Sequence, residues 1–386
     1  MIKPIEALER SFRKSIAYPL LRRVFRNQLS DAPVDPKSVH RILILRYDRI
    51  GDMIVTTPIL QMLKTLNPGI RIDVLASKSN AEIVKRSRFV DNLLVLESNW
   101  LGLLRQIVHL RRQRYDVVMN FIFNRTTGPG ILANVIAPQG YKVGQGPDLY
   151  AFYFNRFVKV RRFEQHMLES YVSMIEQAFG ISVNRKELAF EIAVSDNARN
   201  TVDEWLKKQS LHRKSQPTSL GLPYIVLNPS GKDADRSLGV HQVEALVRSL
   251  SRRSQFKIAV LDTPDNVAMS QAIRKKEDFH GILAYRTLSS TPLGELASII
   301  EGALLVISPD TSIVHFASAM RTPVLAIYAP VNASQEWLPY EVPYDVVMAK
   351  GNQRISEIEP QVLIEGSERF IGQVLKMSGV SSSELK

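Results

Sequence analysis

Cysteine is absent from all 386 residues, which removes disulfides, thiol nucleophiles and thiolate metal sites at once. A reducing compartment is the expectation. No run of about 18 or more apolar residues occurs, the length that a membrane-spanning helix needs. The basic amino terminus lacks the compact apolar segment and small-residue cleavage site of a secretory signal. We therefore expect a cytoplasmic protein, at most peripheral on the inner face of the cytoplasmic membrane. Zinc-finger spacing and RNA-binding aromatic motifs are missing too, so nucleic acid is not the expected partner.

What is present is basic and globular. A formal net charge of +12 points to anionic partners such as a lipid surface or a phosphorylated substrate. With 45% hydrophobic and 23% charged residues, the chain can bury cores of ordinary composition. Its length suggests two domains.

Residues 1–39 read as a basic amphipathic arm and linker. Ile5, Leu8, Phe12 and Ile16 recur at helical spacing, and Leu21, Val24 and Phe25 resume the pattern after Pro19. Lys3, Arg10, Arg13, Lys14, Arg22, Arg23 and Arg26 surround them. Two readings fit: an interfacial helix over residues 1–30 lying on anionic lipid, or a surface helix packing on the body. From His40 the texture changes to alternating strands and helices, starting with the apolar strand Arg41–Arg46. A polar stretch at 210–221 separates this series from a second one opening at Tyr224. The expected units are 40–210 and 221–365, followed by a helix and tail at 366–386. Each should hold a parallel sheet with helices on both faces. Ligands of such sheets bind beyond the carboxyl ends of the strands. Chemistry is thus expected in the loops after Arg46, Asn228, Leu261 and Ser308.

In the first of these loops, Gly51 permits a tight turn and Asp52 falls at a helix start, as a cap that stays ionised. An ionised carboxylate there can take a proton from a hydroxyl; Asp48 is a rival in the same loop, and a purely capping role for Asp52 is the alternative. In Ser308–His315, Asp310 reads as a helix cap, the N–H groups of Thr311 and Ser312 as a phosphate site, and His315 as a donor one turn on. In Asn228–Arg236, Ser230 and Gly231 offer donors, and Lys232 and Arg236 offer cations for a diphosphate.

These loops, in this order, resemble glycosyltransferase family 9. The resemblance covers about residues 40–340. It rests on the Gly51-Asp52 loop with Thr56-Thr57-Pro58, on Val143-Gly144, on Gln165–Glu169, and on Asp310 with His315, Ala317, Ala319 and Pro323. It implies a GT-B fold, two Rossmann-like doubly wound domains facing a central cleft, and an inverting, metal-independent transfer. The donor would be a nucleotide-diphosphate sugar, commonly ADP-heptose, with no cofactor besides it. The acceptor would be a lipopolysaccharide-core or other glycan or glycolipid. Asp52 would be the base, and Asp262 or Asp265 would sit near the ribose. Arg49, Gly51 and Arg125 would lie on the acceptor side. Where the family has "KxWP" this chain has Arg236-Ser-Leu-Gly239, and Ser312 and Pro309 replace a usual Gly and Asn; these positions concern donor contacts. A different donor sugar, or a nucleotide-binding member without turnover, are the alternatives.

Two other motifs compete. Gly128-Pro-Gly-Ile-Leu-Ala133 matches the dinucleotide pattern of NAD(P)-dependent oxidoreductases, though four residues separate its glycines from the strand. Asp233-Ala-Asp235 spells a metal–diphosphate motif.

Overall fold

The computed structural model describes residues 17–25, 27–123, 127–216, 221–253, 255–262, 266, 271, 273, 282–287, 291–330 and 335–377. Arg125, Asp265 and the first sixteen residues of the arm lie outside them.

The first half alternates β1 (Arg41–Arg46), α2 (Ile50–Leu66), β2 (Arg71–Ala76), α3 (Ala81–Val84), β3 (Asn92–Val95) and α4 (Trp100–Arg112). It continues with β4 (Val117–Asn120), α5 (Thr127–Ile136), β5 (Tyr141–Gln145), β6 (Arg156–Val158), α6 (Met167–Phe179) and α7 (Asp196–Lys208). Ahead of it stands α1 (Tyr18–Phe25). The second half holds β7 (Tyr224–Leu227), α8 (Val240–Ser251), β8 (Lys257–Asp262), β9 (Ile282–Thr287), α9 (Leu293–Gly302), β10 (Val306–Pro309), α10 (Ser312–Ala319), β11 (Val324–Tyr328), β12 (Tyr344–Met348) and α11 (Pro360–Met377).

Each half is built on a six-stranded parallel sheet, in the orders β3-β2-β1-β4-β5-β6 and β12-β11-β10-β7-β8-β9. Renumbered from its own first strand, the second order is the first one reversed. Both are therefore the doubly wound arrangement whose strand order turns back between the first and fourth strands. Those switch points lie between β1 and β4, and between β7 and β10.

Strand β1 shows why both faces must be covered. Ile42 and Ile44 enter the core that α2 closes, while Leu43 and Leu45 enter the opposite core with Leu110, Leu132 and Ile136. Alternate side chains leave opposite faces of a strand, so an unbroken Ile-Leu-Ile-Leu run fits two buried faces.

The Thr56-Thr57-Pro58 segment has a local explanation inside α2. Pro58 has no N–H to give the Ile54 carbonyl. The Thr57 hydroxyl donates to that carbonyl instead, at 2.7 Å, and accepts from the Glu191 N–H at 3.0 Å. A helix with an internal proline thus keeps its acceptor satisfied.

The halves meet along α2 and α10. Helix α7 precedes β7 in the chain yet packs against α9 of the second half. Glu82 at α3 accepts from the Leu293 and Gly294 N–H groups at 3.0 and 3.1 Å, so a carboxylate from one half caps a helix of the other. Helix α11 runs unbroken through position 365 and packs on α8 and β12. The Gly128–Ala133 run falls inside α5, so it makes no turn to cradle a phosphate. Gly130 is there for packing: a Cβ on it would stand 2.6 Å from the Tyr153 ring.

Candidate active site

A cleft of about 640 Å³ opens where the two switch points face each other. The loop from β1 into α2 supplies Asp48, Arg49, Ile50, Gly51 and Asp52. Opposite them stand Gly231, Lys232 and Arg236 from the loop after β7, and Asp310, Thr311, Ser312 and His315 from the loop and helix after β10. Ser79, Arg162, Phe163, Glu336 and Trp337 close the remaining sides.

The first-half wall is organised by Arg46, whose side chain is fully buried. Its guanidinium lies 4.8 Å from the Tyr171 ring centre and 5.9 Å from that of Phe121. Nη1 donates to both Asp48 oxygens, at 2.8 and 3.1 Å, and to Asp52 Oδ1 at 3.3 Å. Burial pulls against the charge of this arginine, but the neighbouring acids outweigh it and hold its pKa above the usual arginine value. Nothing singled out Arg46 in the sequence beyond its place at the end of an apolar strand.

Asp52 differs from the expectation in one respect. The cap position belongs to Arg49, and Asp52 sits three residues further on, in the first turn of α2. It is buried rather than capping a solvent-facing end. Burial pushes its carboxyl up to about 6, against the pull of Arg46 and with added repulsion from Asp48. The group is thus a weak base poised near neutrality, where the cap reading had it as an ordinary ionised acid.

Gly51 also has a different reason. It lies within the helix, not in a tight turn, and a Cβ on it would stand 2.8 Å from His315 Cδ2. The glycine lets α2 of one half touch α10 of the other. His315 is buried among Phe190 and Trp337, at ring separations of 6.4 and 5.7 Å. Burial holds its imidazole down at about 3, so it is neutral at any ordinary pH. Its Nδ1 finds no hydrogen-bond partner among the described residues.

In the second half, Thr311 and not Asp310 caps α10, accepting from the Ile313 N–H at 3.3 Å. The Asp310 carboxylate turns to Arg236, 3.9 Å away. Burial raises it to about 6, with Arg236 and Arg49 pulling the other way. Asn228 ties the two loops together through Nδ2, which donates to the Ser230 carbonyl at 2.9 Å, Ser308 Oγ at 3.0 Å and Thr311 Oγ1 at 3.3 Å. Gly231 is required by close approach, since a Cβ would lie 2.2 Å from the Arg236 carbonyl oxygen. Its N–H is not available as a ligand donor, because it goes to Ser237 Oγ at 2.9 Å. The Ser230 hydroxyl accepts from Asn266 at 2.8 Å, outside the cleft lining. Asp262 ends β8. Asp233 receives the Arg236 N–H at 3.1 Å and Asp235 pairs with Arg354 at 3.0 Å, so each acid of that motif has a local partner.

Arg162 and Glu336 were invisible in the sequence, being 174 positions apart. Glu336 is wholly buried and takes Arg162 in a two-pronged contact at 2.5 and 3.2 Å, plus the Phe163 N–H at 2.9 Å. His166 adds a second tie. Its Nδ1 accepts from the Leu168 N–H at 3.1 Å, capping α6, which leaves Nε2 to donate to the Leu338 carbonyl at 3.1 Å.

Residues 104–363 match the model of glycosyltransferase family 9 (heptosyltransferase). The chain belongs to glycosyltransferase family 9. It is 22% identical to lipopolysaccharide heptosyltransferase 3 of Escherichia coli K12 over 291 residues, 72% of this chain and 79% of that one. It is 20% identical to a lipopolysaccharide core heptosyltransferase of Haemophilus influenzae over 302 residues, 76% of this chain and 79% of that one. The solved family 9 glycosyltransferase of Veillonella parvula superposes with a TM-score of 0.73 at 18% identity, covering 89% of this chain and all of that one. An E. coli heptosyltransferase solved with ADP gives 0.63 at 19% identity, covering 87% and 99%. At these identities the structures establish the fold, which is GT-B. The family 9 match assigns glycosyl transfer of the heptosyltransferase type and leaves donor and acceptor to the chemistry of the site.

Proposed function

We propose that this family 9 chain moves a heptose from an ADP-linked donor to a hydroxyl of a lipopolysaccharide-core or similar glycan, with inversion and without a metal. The observation that carries the reading is a buried carboxyl raised to about 6, Asp52, lining one cleft with Lys232, Arg236 and the start of α10. Asp52 takes the proton of the acceptor hydroxyl as its oxygen attacks the anomeric carbon. The bond to the diphosphate breaks on the opposite side, so a single displacement inverts the centre. A carboxyl near 6 is ionised by about thirtyfold at pH 7.5, yet is a stronger base than an unshifted aspartate. Charge grows on the leaving diphosphate, and Lys232 and Arg236, lining the second-half wall of the cleft, are the cations that meet it. The donor identity is supported by the heptosyltransferases the chain is similar to, one of which, from E. coli, was solved both with ADP and with ADP-2-deoxy-2-fluoro heptose.

The test is a melting-temperature panel of nucleoside diphosphates and nucleotide sugars, since a ligand that binds only the folded state raises Tm. ADP and ADP-heptose should raise it most, and Arg236→Ala should weaken ADP at least tenfold. Equal shifts from UDP- or GDP-linked sugars would overturn the adenine assignment.

A further inference from the structure

We propose that α4 and α1 form one docking surface for an anionic lipid bilayer, on the face of the first half turned away from the second half. Helix α4 carries its apolar side chains on the wrong side for a core helix. Trp100 is 70% exposed and Leu101, Leu104 and Val108 are each 50% exposed, while among its residues only Leu110 is buried. At 3.6 residues per turn these four positions fall within an arc of about 100°. Arg112 and Arg105 lie just beyond one edge of that arc and Arg111 lies in it, and the helix has no acidic residue.

Helix α1 repeats the pattern on a smaller scale. Tyr18, Leu21 and Phe25 pack inward against Phe152 and Tyr153, leaving Leu20 at 62% and Val24 at 63% exposure with Arg22 and Arg23 beside them. It too lacks an acid. The two helices are linked across one face. Segment 148–153 packs on both α1 and α5, and α5 packs on α4. That face belongs to the core of Leu43, Leu45 and Leu110, whereas α2, on the other face of the sheet, meets the second half. Acids near this face sit at its margins: Glu97 precedes α4, and Asp148 is 3.6 Å from Lys159.

The chemistry fits a bilayer better than a protein partner. A tryptophan with aliphatic neighbours matches the interfacial zone, and flanking arginines match anionic headgroups. Helix α4 starts where β3 ends, so Trp100 lies at the same edge of the sheet as the Arg46–Asp52 loop. A bilayer held there lies next to the wall of the cleft that carries Asp52. The surface stands independently of the transfer chemistry.

The experiment is co-sedimentation of the full chain with vesicles of phosphatidylglycerol and phosphatidylcholine, against phosphatidylcholine alone. Binding should require the anionic lipid, and Leu104→Glu should reduce it at least tenfold while leaving the ADP-induced Tm shift unchanged. Arg105→Gln with Arg112→Gln is a second variant that spares the apolar contacts, and it should weaken binding at low salt. Emission of Trp100 should shift to the blue on binding, and Trp100→Phe should abolish the shift. Undiminished binding of Leu104→Glu, or loss of binding only on deletion of residues 1–16, would overturn the proposal. So would a full chain that ignores phosphatidylglycerol, or one whose face proves to hold a second copy that Leu104→Glu releases.

Discussion

Replacing Asp52 by asparagine separates chemistry from architecture more cleanly than any other change in the cleft. The substitution keeps the shape and an acceptor oxygen, and removes only the charge and the ability to take a proton. Its structural cost should be small. Asp52 meets Arg46 through one contact at 3.3 Å, while Asp48 holds the same nitrogen at 2.8 and 3.1 Å. Losing the weaker of these costs about 1 kcal/mol. The catalytic cost should be far larger. A positioned general base contributes about 10²–10⁴ in rate, equivalent to about 3–5 kcal/mol of barrier at about 1.4 kcal/mol per tenfold. In steady-state assays of nucleoside diphosphate release, kcat should fall by that factor, while calorimetric ADP affinity stays within about twofold, since ADP binding asks nothing of the base. The pH profile sharpens the test. Burial raises the carboxyl, so ionisation is lost as pH falls through about 6, not 4. The wild-type kcat at saturating donor and acceptor should therefore drop with unit slope below about pH 6, and Asp52→Asn should lack that limb. Turnover within tenfold of wild type would refute the assignment and move the base elsewhere. Loss of ADP affinity by the same factor as rate would show that Asp52 serves binding instead.

Gly51→Ala should cost about 1–3 kcal/mol by overpacking, because the new methyl group meets the His315 ring at 2.8 Å inside a packed cage; a Tm equal to wild type would show that the two halves are not in contact there. Asp310 is raised to about 6 beside Arg236, and a diphosphate nearby raises it further, so ADP binding should take up a proton and tighten as pH falls through 6. In Asp310→Asn the part of that pH dependence due to the protein should vanish, as measured by calorimetry in buffers of different ionisation heat; an unchanged proton uptake would place the diphosphate elsewhere. Activity should survive EDTA within about twofold, whereas a loss restored by magnesium would assign Asp233 and Asp235 a metal role after all.

The layer architecture was legible because it follows from periodicity. Apolar strands such as Arg41–Arg46 alternating with helices leave few alternatives to two wound sheets, and the loops after Arg46, Asn228 and Ser308 line the cleft, whereas the described residues of the loop after Leu261 do not. The reasons for individual residues were less legible. Asp52 and Asp310 were both read as helix caps, since an acid near a helix start is usually that. The structure gives the cap positions to Arg49 and Thr311 and sends both carboxylates into the cleft. A one- to three-residue shift along a helix start turns a solvent-facing cap into a buried acid, and local sequence does not carry that precision.

What sequence could not reach was the long-range packing that buries Arg46 between Phe121 and Tyr171. Arg46 is charged, fully buried and flanked by two rings. An arginine so placed is stable only while its anions remain, so Asp48 and Asp52 divide the work. Asp48, with the shorter contacts, neutralises the arginine. Asp52, with the longer one, keeps a carboxyl that burial raises to about 6. Breaking the tighter pair should then cost structure before chemistry: Asp48→Asn should destabilise the fold by about 3 kcal/mol, as removing one partner of a buried pair does, and by more than Asp52→Asn does. Denaturant unfolding of both variants checks the order, and a larger loss in Asp52→Asn would show that the division of roles runs the other way.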